Sequence, residues 1–236
     1  MAHNRVLLKL SGEAFAGEGQ QGLSSERLLA VAKDIQESVN KGVQIAVVVG
    51  GGNFLRGATV SNDVITRTTA DQMGMLGTIL NGLALRDALE SIHVKTALLS
   101  AVAVQGMAEV FDYRKAISYL SQNYVVIFTA GTGNPFVTTD SAASLRAIEI
   151  NADVILKATK VDGVYTADPK KDSKATRYDK LSFDEALQKQ LAVMDLAAFC
   201  QCRDYNIAIR VFNLFKPGAL SRALAGGDEG TLVTRE

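Results

Sequence analysis

Three consecutive glycines, Gly50-Gly51-Gly52, follow the strand-like apolar run at 43–49. Glycine there is costly unless the backbone must come close to something. Successive N–H groups without side chains form a concave anion site. A similar turn, Lys9-Leu10-Ser11-Gly12, ends the apolar run that begins at Arg5. Lys9 and Arg56 stand where they would neutralise phosphate charge. Each loop alone also reads as a tight turn beside a solvated cation; two at successive strand ends favour anion binding.

A third loop runs from Ala130 through Gly131-Thr132-Gly133-Asn134-Pro135 to Phe136-Val137-Thr138-Thr139-Asp140. Its last residues open a helix, and helix starts bind phosphate through free N–H groups. Its hydroxyls and amide can read a base or a ribose. Thr-Thr-Asp is equally a good N-cap cluster. A fourth loop, 157–165, ends in Asp162-Gly163-Val164-Tyr165, with Asp168-Pro169 just beyond. Tyr165 can stack on a base and Asp168 can accept from a ribose or amino group; Asp-Gly and Asp-Pro also make turns for structural reasons alone.

Other chemistries find little support. Gly17-Glu18-Gly19-Gln20-Gln21-Gly22 matches G-x-G-x-x-G but does not follow its strand directly, and no acidic residue ends the next strand, as a dinucleotide fingerprint requires. It reads as a flexible loop. No G-x-x-x-x-G-K-[ST] sequence occurs. His3 and His93 are the only histidines, and neither has a plausible nucleophile or metal partnership. Glycine-rich strand ends, two cations and a few aspartates suit phosphoryl transfer. That reaction needs in-line positioning and charge neutralisation more than covalent help, with magnesium bridging donor phosphates.

Such loops need strands to hold them. Apolar runs at 5–10, 43–49, 94–99, 124–129, 153–157, 208–212 and 231–234 read as strands, several of them covered on both faces. Helical patterns fill 24–41, 67–91, 114–122, 141–150, 183–190, 195–205 and 217–225. Alternating strands and helices predict an α/β fold with a mostly parallel sheet, and ligands beyond the strands' carboxyl ends. With 236 residues and neither linker nor repeat, one domain over 1–236 is expected. The segment 166–180 is polar and reads as a surface excursion.

Lys+Arg and Asp+Glu each total 25, so no global basic field favours nucleic acid. No apolar run approaches a membrane span, and the start lacks the features of a signal peptide. Cys200 and Cys202 are too close in sequence to pair and read as inert thiols of a reducing cytoplasm.

These motifs resemble those of the bacterial uridylate kinases, a branch of the amino-acid-kinase superfamily. The resemblance rests on KLSGE at 9–13, GGGNFLRG at 50–57, ADQMGM at 70–75, GTGNPFVTTD at 131–140 and KATKVDGVY at 157–165. MDLAAF at 194–199 and RVFN at 210–213 extend it. It implies a three-layer α/β/α sandwich of the amino-acid-kinase fold, and transfer of the ATP γ-phosphoryl group to UMP in pyrimidine biosynthesis, with magnesium carried on ATP. It assigns Lys9, Leu10, Ser11, Gly12, Gly52 and Arg56 to ATP phosphates. Thr159, Tyr165 and Asp168 go to adenosine. Gly51, Asp71 and the stretch Thr132, Gly133, Asn134, Pro135, Phe136, Val137, Thr138 and Thr139 go to UMP, Asp71 taking the ribose hydroxyls. Asp140 and Asp195 join Lys9 and Arg56 as catalytic candidates that organise Lys9, magnesium or water. The resemblance further implies activation by GTP at 17–22, inhibition by UTP, a homohexamer and a cytoplasmic location. Met73, Met75, Leu76, Ile79 and Leu80 suit either a subunit interface or an ordinary core helix.

Overall fold

The structure is a computed structural model that describes residues 3–16, 21–55, 64–167, 169, 171–172, 174–191 and 193–235. Among them a nine-stranded sheet runs in the order β4-β3-β5-β2-β1-β6-β8-β9-β7. Its centre is β1 (Arg5–Leu10), flanked by β2 (Gln44–Val49) and β6 (Val154–Thr159), with β5 (Val125–Thr129) beyond β2. These strands are apolar at nearly every position because helices cover both faces. The outer strands are β3 (Thr96–Ser100), β4 (Glu109–Val110), β8 (Ala208–Asn213), β9 (Thr231–Thr234) and β7 (Lys180–Ser182). All ladders are parallel except β8–β9.

Alternate residues of each strand feed two cores, one on each face. Leu8, Val47, Ile127 and Leu156 pack beneath α2 (Ser25–Asn40), α3 (Arg67–Glu90) and α8 (Ala219–Leu224). Leu7, Val48, Val126 and Ile155 pack beneath α4 (Tyr113–Ser121), α5 (Thr139–Glu149), α6 (Phe183–Gln188) and α7 (Leu196–Asp204). This is the expected three-layer arrangement. Helix ends follow local chemistry: Ser24 caps α2 by accepting from the Arg27 N–H, and Gly42, at φ 87°, lets the chain leave it.

The differences from the sequence reading lie at the margins. The strands β4 and β7 and the single-turn helix α1 (Glu13–Ala16) were not expected; each is too short to show a period. The strand expected at 94–99 starts two residues later, and the one expected at 153–157 runs on to Thr159. On α3, Ile79 is buried whereas Leu76 and Leu80 are exposed, so its apolar residues serve two faces. Cys200 and Cys202 are free thiols on α7. Burial pushes Cys202 up to about 12, which keeps it protonated. Among the described residues no helix is long and apolar enough to cross a membrane.

Candidate active site

A cavity of about 500 Å³ opens at the carboxyl ends of β1, β2 and β5 and is roofed by the first turns of α3. Its floor carries an ionic cluster. Lys9 and Lys157 are direct register partners on β1 and β6, so their side chains leave the sheet on the same face. Like charges placed so would repel. Asp140, in the first turn of α5, sits between them, with Oδ1 2.8 Å from Lys9 Nζ and Oδ2 2.6 Å from Lys157 Nζ. The Lys157 ammonium also donates to the Val193 carbonyl at 2.8 Å.

Burial alone would push the Asp140 carboxyl up, but Lys9 and Lys157 together outweigh it and hold the group below the usual carboxylate range. Burial pushes the Lys157 ammonium down; Asp140 opposes this and Lys9 adds to it. Two ammonium groups share this carboxylate in a nearly dry place, with Asp195 also acting on Lys157, so the positive charge of Lys9 is only partly offset. Lys9 reaches the cavity and supplies that charge to it. An anion there would be held far more strongly than in water.

The 130–139 loop is shaped by long-range bonds. Ala130 and Phe136 both have positive φ, 60° and 67°, a costly conformation for residues with side chains. Each is held by a partner on α3. The Ala130 N–H donates to Thr78 Oγ1 at 2.6 Å, and the Phe136 N–H donates to Asp71 Oδ2 at 2.9 Å. At the end of the loop Thr138 caps α5, accepting from the Asp140 and Ser141 N–H groups, and itself donates to Asp195.

The Gly50–Gly52 turn is held just as firmly. A Cβ on Gly51 would fall 2.6 Å from the Gly74 carbonyl oxygen and 3.0 Å from the Thr78 nitrogen, because α3 passes directly over it. A Cβ on Gly12 would strike the Asn53 side chain and lie 2.7 Å from the Gly52 nitrogen. Part of the glycine signal in the sequence therefore reflects packing of loop on loop. Beneath the turn, the buried amides of Asn53 and Asn81 bond to each other at 2.9 and 2.7 Å. Asn81 also donates to the Gly50 carbonyl at 2.6 Å, and Asn53 to the Gly22 carbonyl at 2.6 Å.

The chain as a whole is matched by known proteins. Residues 4–213 fit the model of the amino acid kinase family. The chain belongs to that family. Similar amino acid kinases include the uridylate kinase of Coxiella burnetii, 58% identical over 98% of this chain and 95% of that protein. The uridylate kinase of Pseudomonas aeruginosa strain PAO1 is 54% identical over 98% of this chain and 94% of its own length. Among solved structures, the UMP kinase from Bacillus anthracis superposes with a TM-score of 0.96 at 39% identity, covering 100% of this chain and 98% of that one. The uridylate kinase from Archaeoglobus fulgidus gives 0.72 at 32% identity, with 97% and 99% covered.

Of the residues that the sequence singled out in this amino acid kinase, many line one cavity. They are Lys9, Ser11, Gly12, Gly51, Gly52, Asp71, Thr132, Asn134, Val137, Thr138 and Thr139. Asp140 reaches it through Lys9. Leu10 is buried in the sheet, and Gly133, Pro135 and Phe136 belong to the loop without lining the cavity. Asp195, a candidate for organising Lys9, magnesium or water, makes its bonds at two helix starts. It caps α7 through the Ala198 N–H at 2.9 Å, and its carboxylate accepts from Ser141 and Thr138, so it joins two helices. Thr159 and Tyr165 lie at the end of β6, outside this cavity. Thr159 Oγ1 donates to the Val161 carbonyl at 2.7 Å and Tyr165 donates to Asp162 at 2.6 Å. Arg56, Asp168 and residues 17–20 fall outside the described residues; Gly22 is tied to Asn53, and Gln21 is exposed.

Sequence reasoning missed Lys157 and the Asn53–Asn81 pair. Lys157 was read only as a strand end. The available signal was a lysine within an apolar strand, and for Asn81 an amide in the apolar stretch of a long helix. Both break the local pattern, and buried polar groups of that kind need partners.

Proposed function

We propose that this chain transfers the γ-phosphoryl group of ATP to UMP, giving ADP and UDP, as a step in pyrimidine nucleotide synthesis. The observation that carries the proposal is one cavity with a lysine-rich anion site on its floor and, above it, a carboxylate and a hydroxyl-rich loop suited to a nucleoside monophosphate. The names of the relatives support the same acceptor.

In this reading a UMP phosphate oxygen attacks the γ-phosphorus while the bond to the β–γ bridging oxygen breaks. Lys9 stabilises charge on the moving group, and Asp140 holds Lys9 in place with Lys157 as its second counter-ion. The N–H groups of Ser11, Gly12 and Gly52 cradle donor phosphates, beside Leu10, with Arg56 near the transferring group. Asp71 accepts from the ribose hydroxyls, an acceptor-only task suited to a carboxylate. Gly51 and residues 132–139 surround the rest of UMP. Thr159, Tyr165 and Asp168 take the adenosine part. Asp195 positions the start of α5.

Magnesium would arrive on the ATP phosphates and supply further charge neutralisation. Asp140 is already paired with two lysines, which leaves the phosphates as the ion's main ligands in this reading. GTP activation through 17–22, UTP inhibition, a homohexamer and a cytoplasmic location complete the proposal; the exposed Leu76 and Leu80 of α3 suit a subunit contact.

The test is formation of ADP and UDP from ATP and magnesium, with UMP, CMP, dUMP, acetylglutamate and aspartate offered separately. Strong turnover with UMP alone is expected. Turnover with a carboxylate acceptor would overturn the acceptor assignment. A folded protein that binds ATP but turns over no acceptor would be a non-catalytic nucleotide-binding protein.

A further inference from the structure

Arg67 stands one turn before Asp71 on α3. Its Nε lies 2.9 Å from Asp71 Oδ1 and 3.0 Å from Oδ2, so one N–H is shared between both carboxylate oxygens. Its guanidinium carbon stands 5.7 Å from the centre of the Phe136 ring, within cation–π reach. Phe136 in turn gives its backbone N–H to Asp71 Oδ2. Arg67 also lines the cavity. The three residues therefore form a closed triangle joining the first turns of α3 to the loop that walls the acceptor side.

We infer that Arg67 is a positioning and specificity residue for the acceptor nucleotide, an inference that rests on the UMP reading above. Its physical basis is the orientation of one carboxylate. The Asp71 side chain is only 16% accessible, and a bond shared across both oxygens fixes the plane of its carboxylate. Phe136 occupies Oδ2, so Oδ1 keeps acceptor capacity facing a sugar hydroxyl. The positive charge of Arg67 also offsets the negative charge of Asp71, which would otherwise repel a phosphorylated ligand. The ring of Phe136 holds the guanidinium from its other side. Lysine cannot reproduce this, because it lacks the planar fork that both bonds and stacks.

The experiment compares wild type with Arg67→Gln and Arg67→Lys. It reads kcat, KM for UMP and KM for ATP, together with calorimetric titration of UMP and dUMP in the absence of ATP. Arg67 is partly exposed, with 44% of its side chain accessible, so neither change opens a hole in the core. For Arg67→Gln the UMP KM and Kd should rise roughly tenfold, the equivalent of one lost charge-assisted contact, with kcat and the ATP KM within about twofold. The preference for UMP over dUMP should shrink, and Arg67→Lys should fall between. Unchanged or tighter UMP binding would overturn the assignment, since Arg67 would then be a helix-surface ion pair or a competitor for Asp71. So would equal losses for UMP and ATP. A wild type that binds UMP without turning it over would fail the kinase reading alone, and the titration would still decide on Arg67. A wild type that does not bind UMP would overturn both.

Discussion

The two flanks of β1 are built differently. On the β2–β5 flank the loops are tied by bonds between distant parts of the chain. The Phe136 N–H reaches Asp71 across 65 residues, the Ala130 N–H reaches Thr78 across 52, and Asn81 reaches Gly50 across 31. On the β6 flank the proposed adenosine side chains combine local and distant bonds: Thr159 Oγ1 reaches the Val161 carbonyl across two residues and the Phe212 carbonyl across 53, and Tyr165 reaches Asp162 across three. On the first flank the loop N–H groups are held by α3 side chains, whereas on the second the Tyr165 hydroxyl is held by its own turn while the neighbouring backbone is tied to Leu214 and Thr231. Preorganised groups discriminate between ligands, because displacing them leaves buried polar atoms unpaired. Specificity is therefore expected on the proposed acceptor side, and tolerance at the Tyr165 end of the proposed donor side.

The largest expected effect lies where the flanks meet. Asp140→Asn should lower kcat by about 10²–10³, the range seen when one preorganised electrostatic group is lost, because Lys9 and Lys157 would then face each other unbridged. The same variant has a pH signature. Asp140 is held below its ordinary value near 3.8, so its contribution to stability is present above that pH and disappears as pH falls through the depressed folded value. The stability difference between wild type and Asp140→Asn should be full at neutral pH and should close in acid, as thermal melts across pH would record. A constant difference would mean that Asp140 is not the charged bridge.

Asn81→Leu probes the scaffold of the acceptor flank. It leaves the Asn53 amide and the Gly50 carbonyl without their partner, at a cost of about 2 kcal/mol in urea unfolding. The ATP KM should change less than the UMP KM if the turn serves the acceptor first. The smallest effect is expected on the other flank. Tyr165→Phe removes one part-buried local hydrogen bond and keeps the ring, so the ATP KM should stay within about twofold. A tenfold rise would show that the donor side is as tightly specified as the acceptor side, and would break the comparison.

The contrast also explains what was legible in the sequence. Runs such as IAVVV at 45–49 and VVIF at 125–128 announce buried strands by composition alone, and the glycine turns after them announce a site. The edge strands β4 and β7 are two and three residues long, below any readable period. Lys157 became visible as part of the site only when register set it beside Lys9, and that pairing brings together residues 148 apart in the chain. Arg67 was hidden for a similar reason. Beside Asp71 it reads as an ordinary i,i+4 pair, and only the fold adds Phe136. Asp195 was read as a group that organises Lys9, magnesium or water, and its bonds to Ala198, Ser141 and Thr138 became visible only in the fold.

The most direct test of a specificity-bearing acceptor flank is the kinetics of Asp71→Asn with each substrate varied in turn. The account predicts a UMP KM raised by roughly thirtyfold, about 2 kcal/mol of lost hydrogen bonding and charge, with the ATP KM essentially unchanged. Equal rises for both substrates, or none for UMP, would contradict it.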